Sequence, residues 1–173
     1  MAKRLAKIII QIFYIMSFRI EEKIPVSFSE GSELIQRLRV KGLVNLFPKR
    51  KVTSDYFDTQ KYDLYRDSEE GLLPRKKVRI RHYPNSGNKF LFEKKISSLE
   101  GRYKISSALD EPSQELINSN GYLDNEYGVL QPVVKISYMR EYYSYEGIRL
   151  TMDSEITYQD IYCASNSFLE DES

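Results

Sequence analysis

Arg75-Lys76-Lys77-Val78-Arg79-Ile80-Arg81-His82-Tyr83 reads as one strand. Pro84-Asn85-Ser86-Gly87-Asn88 reads as a turn, and Phe90-Leu91-Phe92-Glu93-Lys94-Lys95 as the returning strand. Side chains alternate along a strand, so Arg75, Lys77, Arg79 and Arg81 share one face while Val78 and Ile80 take the other. On the second strand Glu93 and Lys95 share a face, opposite Phe90, Phe92 and Ile96. The hairpin is apolar on one side and cationic on the other. A cationic face on a central strand suits a wall that holds a multiply charged anion.

Composition limits the alternatives. The 173 residues suit one domain. Apolar residues make up 41% and charged ones 29%, as in a globular protein rather than a disordered one. The 14 Tyr, 8 Phe and many β-branched residues favour strands. Net charge is only +1, too low for a generic nucleic-acid binder. An anion site must therefore come from local arrangement. Cys163 is the single cysteine, which excludes an internal disulfide and a cysteine-based metal cluster and suits a reducing compartment. His82 is the single histidine and sits on the Val78/Ile80 face, where packing is expected of it. Ser-His-Asp catalysis and histidine-rich zinc sites are disfavoured.

Residues 1–15 begin with a basic stretch and continue into the apolar run Ile8 to Met16, too short for a span of ~20 residues. They read as an N-terminal extension ahead of a domain starting at Met16, with an interfacial anchor as the alternative. Phe18 to Val26 reads as a strand with Arg19, Glu21 and Lys23 on one face. Ser29 or Ser32 is expected to cap a helix carrying Leu34, Ile35 and Leu38 and ending by Gly42. Pro48-Lys49-Arg50-Lys51 reads as a solvated loop. Val52 to Thr59 reads as a strand, and Lys61 to Glu70 as a short helix stopped by Gly71. Arg102 and Lys104 share a face of the next strand. Pro112 to Gly121 reads as a helix docked by Leu116 and Ile117. Residues 132–145 and 148–158 read as a strand pair turning at Gly147. On the second of these, Ile148, Leu150, Met152 and Ile156 face one way and Arg149, Thr151, Asp153 and Glu155 the other. Residues 163–173 form a polar, acidic tail. Strands joined by short turns, with few helices, predict an α+β fold of mostly antiparallel strands.

Five strands thus carry cations at alternate positions. Buried cations need acidic partners or an anionic ligand. Arg suits bidentate phosphate binding, Lys supplies a point charge, and carboxylates among them suit Mg²⁺ or Mn²⁺. Such a site promotes phosphoryl transfer by positioning and charge stabilisation.

The order Arg19-x-Glu21-x-Lys23, Tyr56-Phe57-Asp58-Thr59, Leu64-Tyr65-Arg66, Lys77-Val78-Arg79-Ile80-Arg81-x-Tyr83, Glu93-x-Lys95, Tyr138-x-Arg140 and Arg149-Leu150-Thr151-x-Asp153 resembles the VTC domain (vacuolar transporter chaperone), the polyphosphate polymerase domain of the triphosphate tunnel, or CYTH-like, superfamily. The resemblance covers about residues 16–160. It implies a β-barrel of antiparallel strands with short flanking helices that moves the terminal phosphate of a nucleoside triphosphate such as ATP onto polyphosphate. The chemistry implied is that of a metal-dependent phosphotransferase, with Mn²⁺ or Mg²⁺ as cofactor. On the matching positions, Lys23, Arg79, Arg81 and Lys95 are the implied catalytic residues. Arg19, Arg66, Lys104, Tyr138, Arg140 and Arg149 are implied to hold phosphate. Glu21, Asp153 and Glu155 are the candidate metal ligands. The family continues into a Glu-x-Lys strand and a Ser-Lys segment that have no counterpart before Ser173, so the barrel is expected to be incomplete. The tunnel domain is expected over 16–162. The implied partners are nucleoside triphosphate and polyphosphate, with no specific nucleic acid; a membrane-protein partner stays open. The expected location is cytoplasmic, with membrane association through residues 1–15 as an alternative. Two other readings compete. One is a polyphosphate-binding module without turnover. The other is a triphosphate hydrolase of the same superfamily, which usually carries Glu where this chain has Arg19.

Overall fold

The computed structural model describes residues 8–13, 21–84 and 89–161, with backbone alone for 8–13 and Glu21. Arg19, the 85–88 turn, Cys163 and the acidic tail lie outside the described residues. The elements in order are β1 (Ile8–Phe13), β2 (Glu21–Val26), α1 (Phe28–Val40), β3 (Val44–Asp58), α2 (Asp63–Glu69), β4 (Arg75–His82), β5 (Phe90–Ser97), β6 (Arg102–Leu109), α3 (Glu111–Asn120), β7 (Tyr122–Asp124), β8 (Gly128–Tyr145) and β9 (Ile148–Asp160). The chain is α+β with mostly antiparallel strands, as its alternation predicts. No helix among the described residues is long and apolar enough to cross a membrane.

The chain divides into two compact units. One comprises residues 1–52 and 137–157, the other residues 53–136 and 158–173. In the first unit the strand order is β2-β1-β9-β8-β3. Ile8–Phe13, read from sequence as part of an extension, is hydrogen-bonded antiparallel to β2 on one side and β9 on the other. The 15/16 boundary therefore falls between two paired strands. α1 starts at Ser27, not at Ser29 or Ser32. Ser27 and Glu30 form a reciprocal capping box, and the Ser27 backbone N–H donates to Glu30 at 2.7 Å. Sequence alone favoured the later serines because the apolar stripe begins at Leu34. That stripe buries Ile35, flanked by Leu34 and Leu38, against Tyr143, Leu150 and Met152.

In the second unit β3, β4, β5 and β6 follow in order, each antiparallel to the next, and β7 pairs with β8. Phe57, Leu64, Val78, Ile80, Phe92 and Leu130 make its core, with Ile117 of α3 packed against them. Burying each such side chain contributes about 1.5–3 kcal/mol. Leu116, expected to dock α3, is 61% exposed. Asp110 caps this helix, accepting from the Ser113 N–H at 3.0 Å, and Ile117 rather than Leu116 packs against the core. Gly121 ends it at φ +84°.

Two further expectations are corrected. Pro48 to Lys51 is not a loop but the middle of β3. Arg50 explains why a strand tolerates that basic run: its Nε donates to the Tyr142 hydroxyl at 2.7 Å and its guanidinium lies 4.6 Å from that ring. On β9, Glu155 has φ +55°, which interrupts the alternation that would have set it beside Asp153.

Candidate functional site

The second unit carries a cationic sheet face. Residues paired across an antiparallel ladder point to the same side, so register assigns the face directly. Tyr56 pairs with Arg79 and Arg79 with Glu93. One step along, Lys77 pairs with Lys95, and Lys95 with Lys104. Three lysines thus stand in one row across three adjacent strands, beside Arg79 and Arg81. Like charges directly opposed destabilise a sheet.

The carboxylate ion-paired with Arg79, Arg81 and Lys104 is Glu93. Glu93 is 1% exposed. Its Oε2 accepts from Arg79 Nε at 2.7 Å and Nη2 at 2.6 Å, and lies 3.8 Å from Arg81 Nη1. Its Oε1 bonds the Lys104 ammonium. Burial works to raise this carboxyl, but the Lys104 bond and the Arg79 and Arg81 charges outweigh burial and hold it at about 2. Arg79 Nη1 also donates to the Tyr56 hydroxyl at 2.8 Å. Among the described residues, the buried Arg81 Nε has no hydrogen-bond partner. Three cations, Arg79, Arg81 and Lys104, thus share one carboxylate, and Lys77 stands exposed beside them.

The opposite face of the same strands is neutralised differently. Lys76 and Lys94 both bond Asp124, at 2.8 and 3.0 Å, and Glu126 lies 3.1 Å from Lys76. Two cations meet two acids there. Burial disfavours the Asp124 charge, but the bonds from Lys76 and Lys94 win and hold it well below the usual carboxylate range. This cluster is a balanced support for the core.

The first unit carries a second cationic group. Arg140 donates to Asp153 through Nε at 2.5 Å and Nη2 at 2.6 Å, and its guanidinium lies 5.0 Å from the Tyr138 ring. Arg149 lies 5.5 Å from the Tyr142 ring, with Arg50 against the same tyrosine. Tyr138, Arg140 and Arg149, all named from sequence, therefore fall in one neighbourhood of β8 and β9. Lys23 lies exposed on β2 in the same unit.

Arg79, Arg81, Lys95 and Lys104 come together on the second unit's face through the register of β4, β5 and β6. Arg66 does not join the ladder: it sits on α2, ion-paired to Asp63. The Tyr-Phe-Asp-Thr motif has a local explanation. Asp58 accepts N–H bonds from Thr59, Leu64 and Tyr65 at 2.8–2.9 Å and so fixes the start of α2. Sequence reading passed over Glu93 as a site residue, and Lys77 with it. The signal was present in Glu93-x-Lys95, but its meaning depends on register with β6.

Among the described residues, Asp153 and Glu155 are each engaged by a cation rather than gathered for a metal. Both Asp153 oxygens are taken by Arg140. Glu155 is exposed and lies 3.4 Å from the Lys49 ammonium. The Glu21 side chain is outside the described set. Among the described residues, no three His, Cys, Asp or Glu side chains converge as a metal nest.

No curated protein matches the chain. Solved structures similar to it include a putative adenylate cyclase from Bacillus halodurans, at 16% identity and TM-score 0.47, covering 84% of this chain and 82% of that one. Another is a putative adenylyl cyclase from Hippeastrum, described as having a dominant triphosphatase activity, at 14% identity and TM-score 0.44, covering 95% and 84%. The family model described as the VTC domain matches residues 16–173, and the chain belongs to that family.

Proposed function

We propose that the chain binds a nucleoside triphosphate and polyphosphate on its cationic sheet face and transfers the terminal phosphate to the growing polymer. The in-register row Lys77–Lys95–Lys104 beside Arg79 and Arg81 carries this reading. Like charges opposed across a ladder weaken it, and a bound anion would offset that cost. A linear polyanion fits a linear row of cations. Arg79 and Arg81 then meet the phosphoryl oxygens, where charge builds during transfer. Membership of the VTC domain family supports the same substrate class.

A second reading has its own observation. The described carboxylates nearest the cations are already paired: Glu93 with Arg79 and Lys104, Asp153 with Arg140. That favours a module which holds polyphosphate without turning it over. Incubation with ATP and Mn²⁺ or Mg²⁺, followed by gel separation of products, decides the matter. Polymer of increasing length is expected. Salt-sensitive polyphosphate binding with no product selects the binding module. Release of orthophosphate without polymer selects a triphosphate hydrolase.

A further inference from the structure

We infer that the cavity beside Tyr56 in the second unit holds the nucleoside end of the triphosphate, by stacking its base on tyrosine rings. This rests on the proposed triphosphate-binding face and extends it. The cavity has a volume of about 630 Å³, within the range of small-molecule sites. Tyr56, Tyr62, Tyr65 and Tyr158 line it, with Val133 and Lys77.

The cavity and the anion face share two residues. Tyr56 lines the cavity while its hydroxyl accepts from Arg79 at 2.8 Å. Lys77 lines the cavity and heads the lysine row, two residues from Arg79 on the same strand. A molecule with phosphates on Arg79, Arg81 and the lysines would therefore carry its other end past Tyr56 and Lys77. The surroundings change there from cationic to aromatic. Tyrosine faces suit a flat, neutral ring, and of the two lysines in the lining Lys76 is already bonded to Asp124, while Asp58 and Glu69 would repel a further phosphate.

The backbone supports the assignment. Tyr62 has φ +57°, a left-handed conformation that costs a non-glycine residue free energy. It is held there by its N–H donating to Thr59 O at 3.0 Å and its carbonyl accepting from Arg66 N at 2.9 Å. Such strain concentrates where a side chain must be placed for function. The ring placed here is 40% exposed. Stacking uses the face of a base rather than its edges, so the site should tolerate adenine and guanine alike.

The test measures binding of ATP, GTP and inorganic tripolyphosphate by calorimetry at one fixed salt concentration. Two variants remove rings without threatening the fold. Tyr65→Ala changes an exposed helix position to the best helix former. Tyr62→Gly suits the positive φ better than the native residue does. Each is expected to weaken ATP and GTP by about tenfold, the size of one lost stacking contact, and to leave tripolyphosphate unchanged. Arg81→Ala should weaken all three ligands together. Unchanged ATP affinity in both tyrosine variants overturns the inference while leaving the anion face intact. Equal losses for ATP and tripolyphosphate overturn it as well. If the native protein binds none of the three, the triphosphate reading itself falls, and this inference with it.

Discussion

Arg140 holds Asp153 by two parallel hydrogen bonds, Nε to Oδ1 at 2.5 Å and Nη2 to Oδ2 at 2.6 Å. The carboxylate is all but buried, and the guanidinium is 17% exposed. A candidate metal ligand is thus the counterion of a candidate phosphate ligand. Asp153→Asn leaves a largely buried guanidinium without its charge partner, and should destabilise the protein by about 3–5 kcal/mol. Urea denaturation checks this. Arg140→Lys should not substitute for Arg140, because an ammonium cannot span both oxygens.

Glu93 makes stability depend on pH in a defined window. Its folded pKa of about 2 lies below the ordinary 4.5. Its contribution is therefore complete above pH 4.5 and is lost as pH falls towards 2. The shift corresponds to about 3 kcal/mol. Glu93→Gln should cost about that much near pH 6, and the gap between native and variant should close as pH approaches 2. A difference that is the same at pH 3 and pH 6 would refute the assignment of Glu93 as the shared counterion.

Lys77 separates stability from binding. It opposes Lys95 in the ladder and is exposed. Lys77→Ala removes one like-charge pair, which should leave stability unchanged or raise it by about 0.5 kcal/mol at low salt. The same change should weaken polyphosphate binding several-fold and flatten its salt dependence. Paired urea and salt-titration experiments read both signs. A residue kept only for folding would not give opposite ones.

Gly121 and Gly71 give a packing contrast. Both have positive φ, +84° and +71°. A Cβ on Gly121 would meet Leu130 O and Val129 Cγ1 at 2.7 Å, whereas Gly71 faces open space. Gly71→Ala should cost about 1 kcal/mol of backbone strain. Gly121→Ala should cost about 2 kcal/mol or more, because a backbone oxygen cannot step aside. Thermal or urea unfolding of the two variants ranks them.

Alternation alone was enough to place β4 and β5 and to separate their faces. Val78 and Ile80 are core, while Arg79 and Arg81 lie on the other side with Glu93. The single histidine behaves as expected: His82 stacks on Phe90, ring centroids 4.6 Å apart. What escaped the sequence depends on partners far along the chain. Arg50 reads as a loop residue until Tyr142, 92 positions later, is seen beneath it. Lys76 breaks the apolar face of β4 and is accounted for only by Asp124 on the three-residue β7. Asp153 has the chemistry of a metal ligand, and only the turn at Gly147 brings Arg140 against it. Residue type and spacing named the cations of the site. The pairing that neutralises some and leaves others in excess is a property of register.

The last strand of the ladder has a consequence for assembly. Among the described residues β6 pairs only with β5, and Tyr103 and Ile105 are exposed on it. An open edge of this kind invites another strand, and positive charge is a common guard against it. Arg102 and Lys104 are that guard here, and Lys104 also belongs to the proposed anion face. A bound polyanion would silence the guard on every molecule along its length. The polymer would then act as a scaffold on which neighbouring copies lose their mutual repulsion.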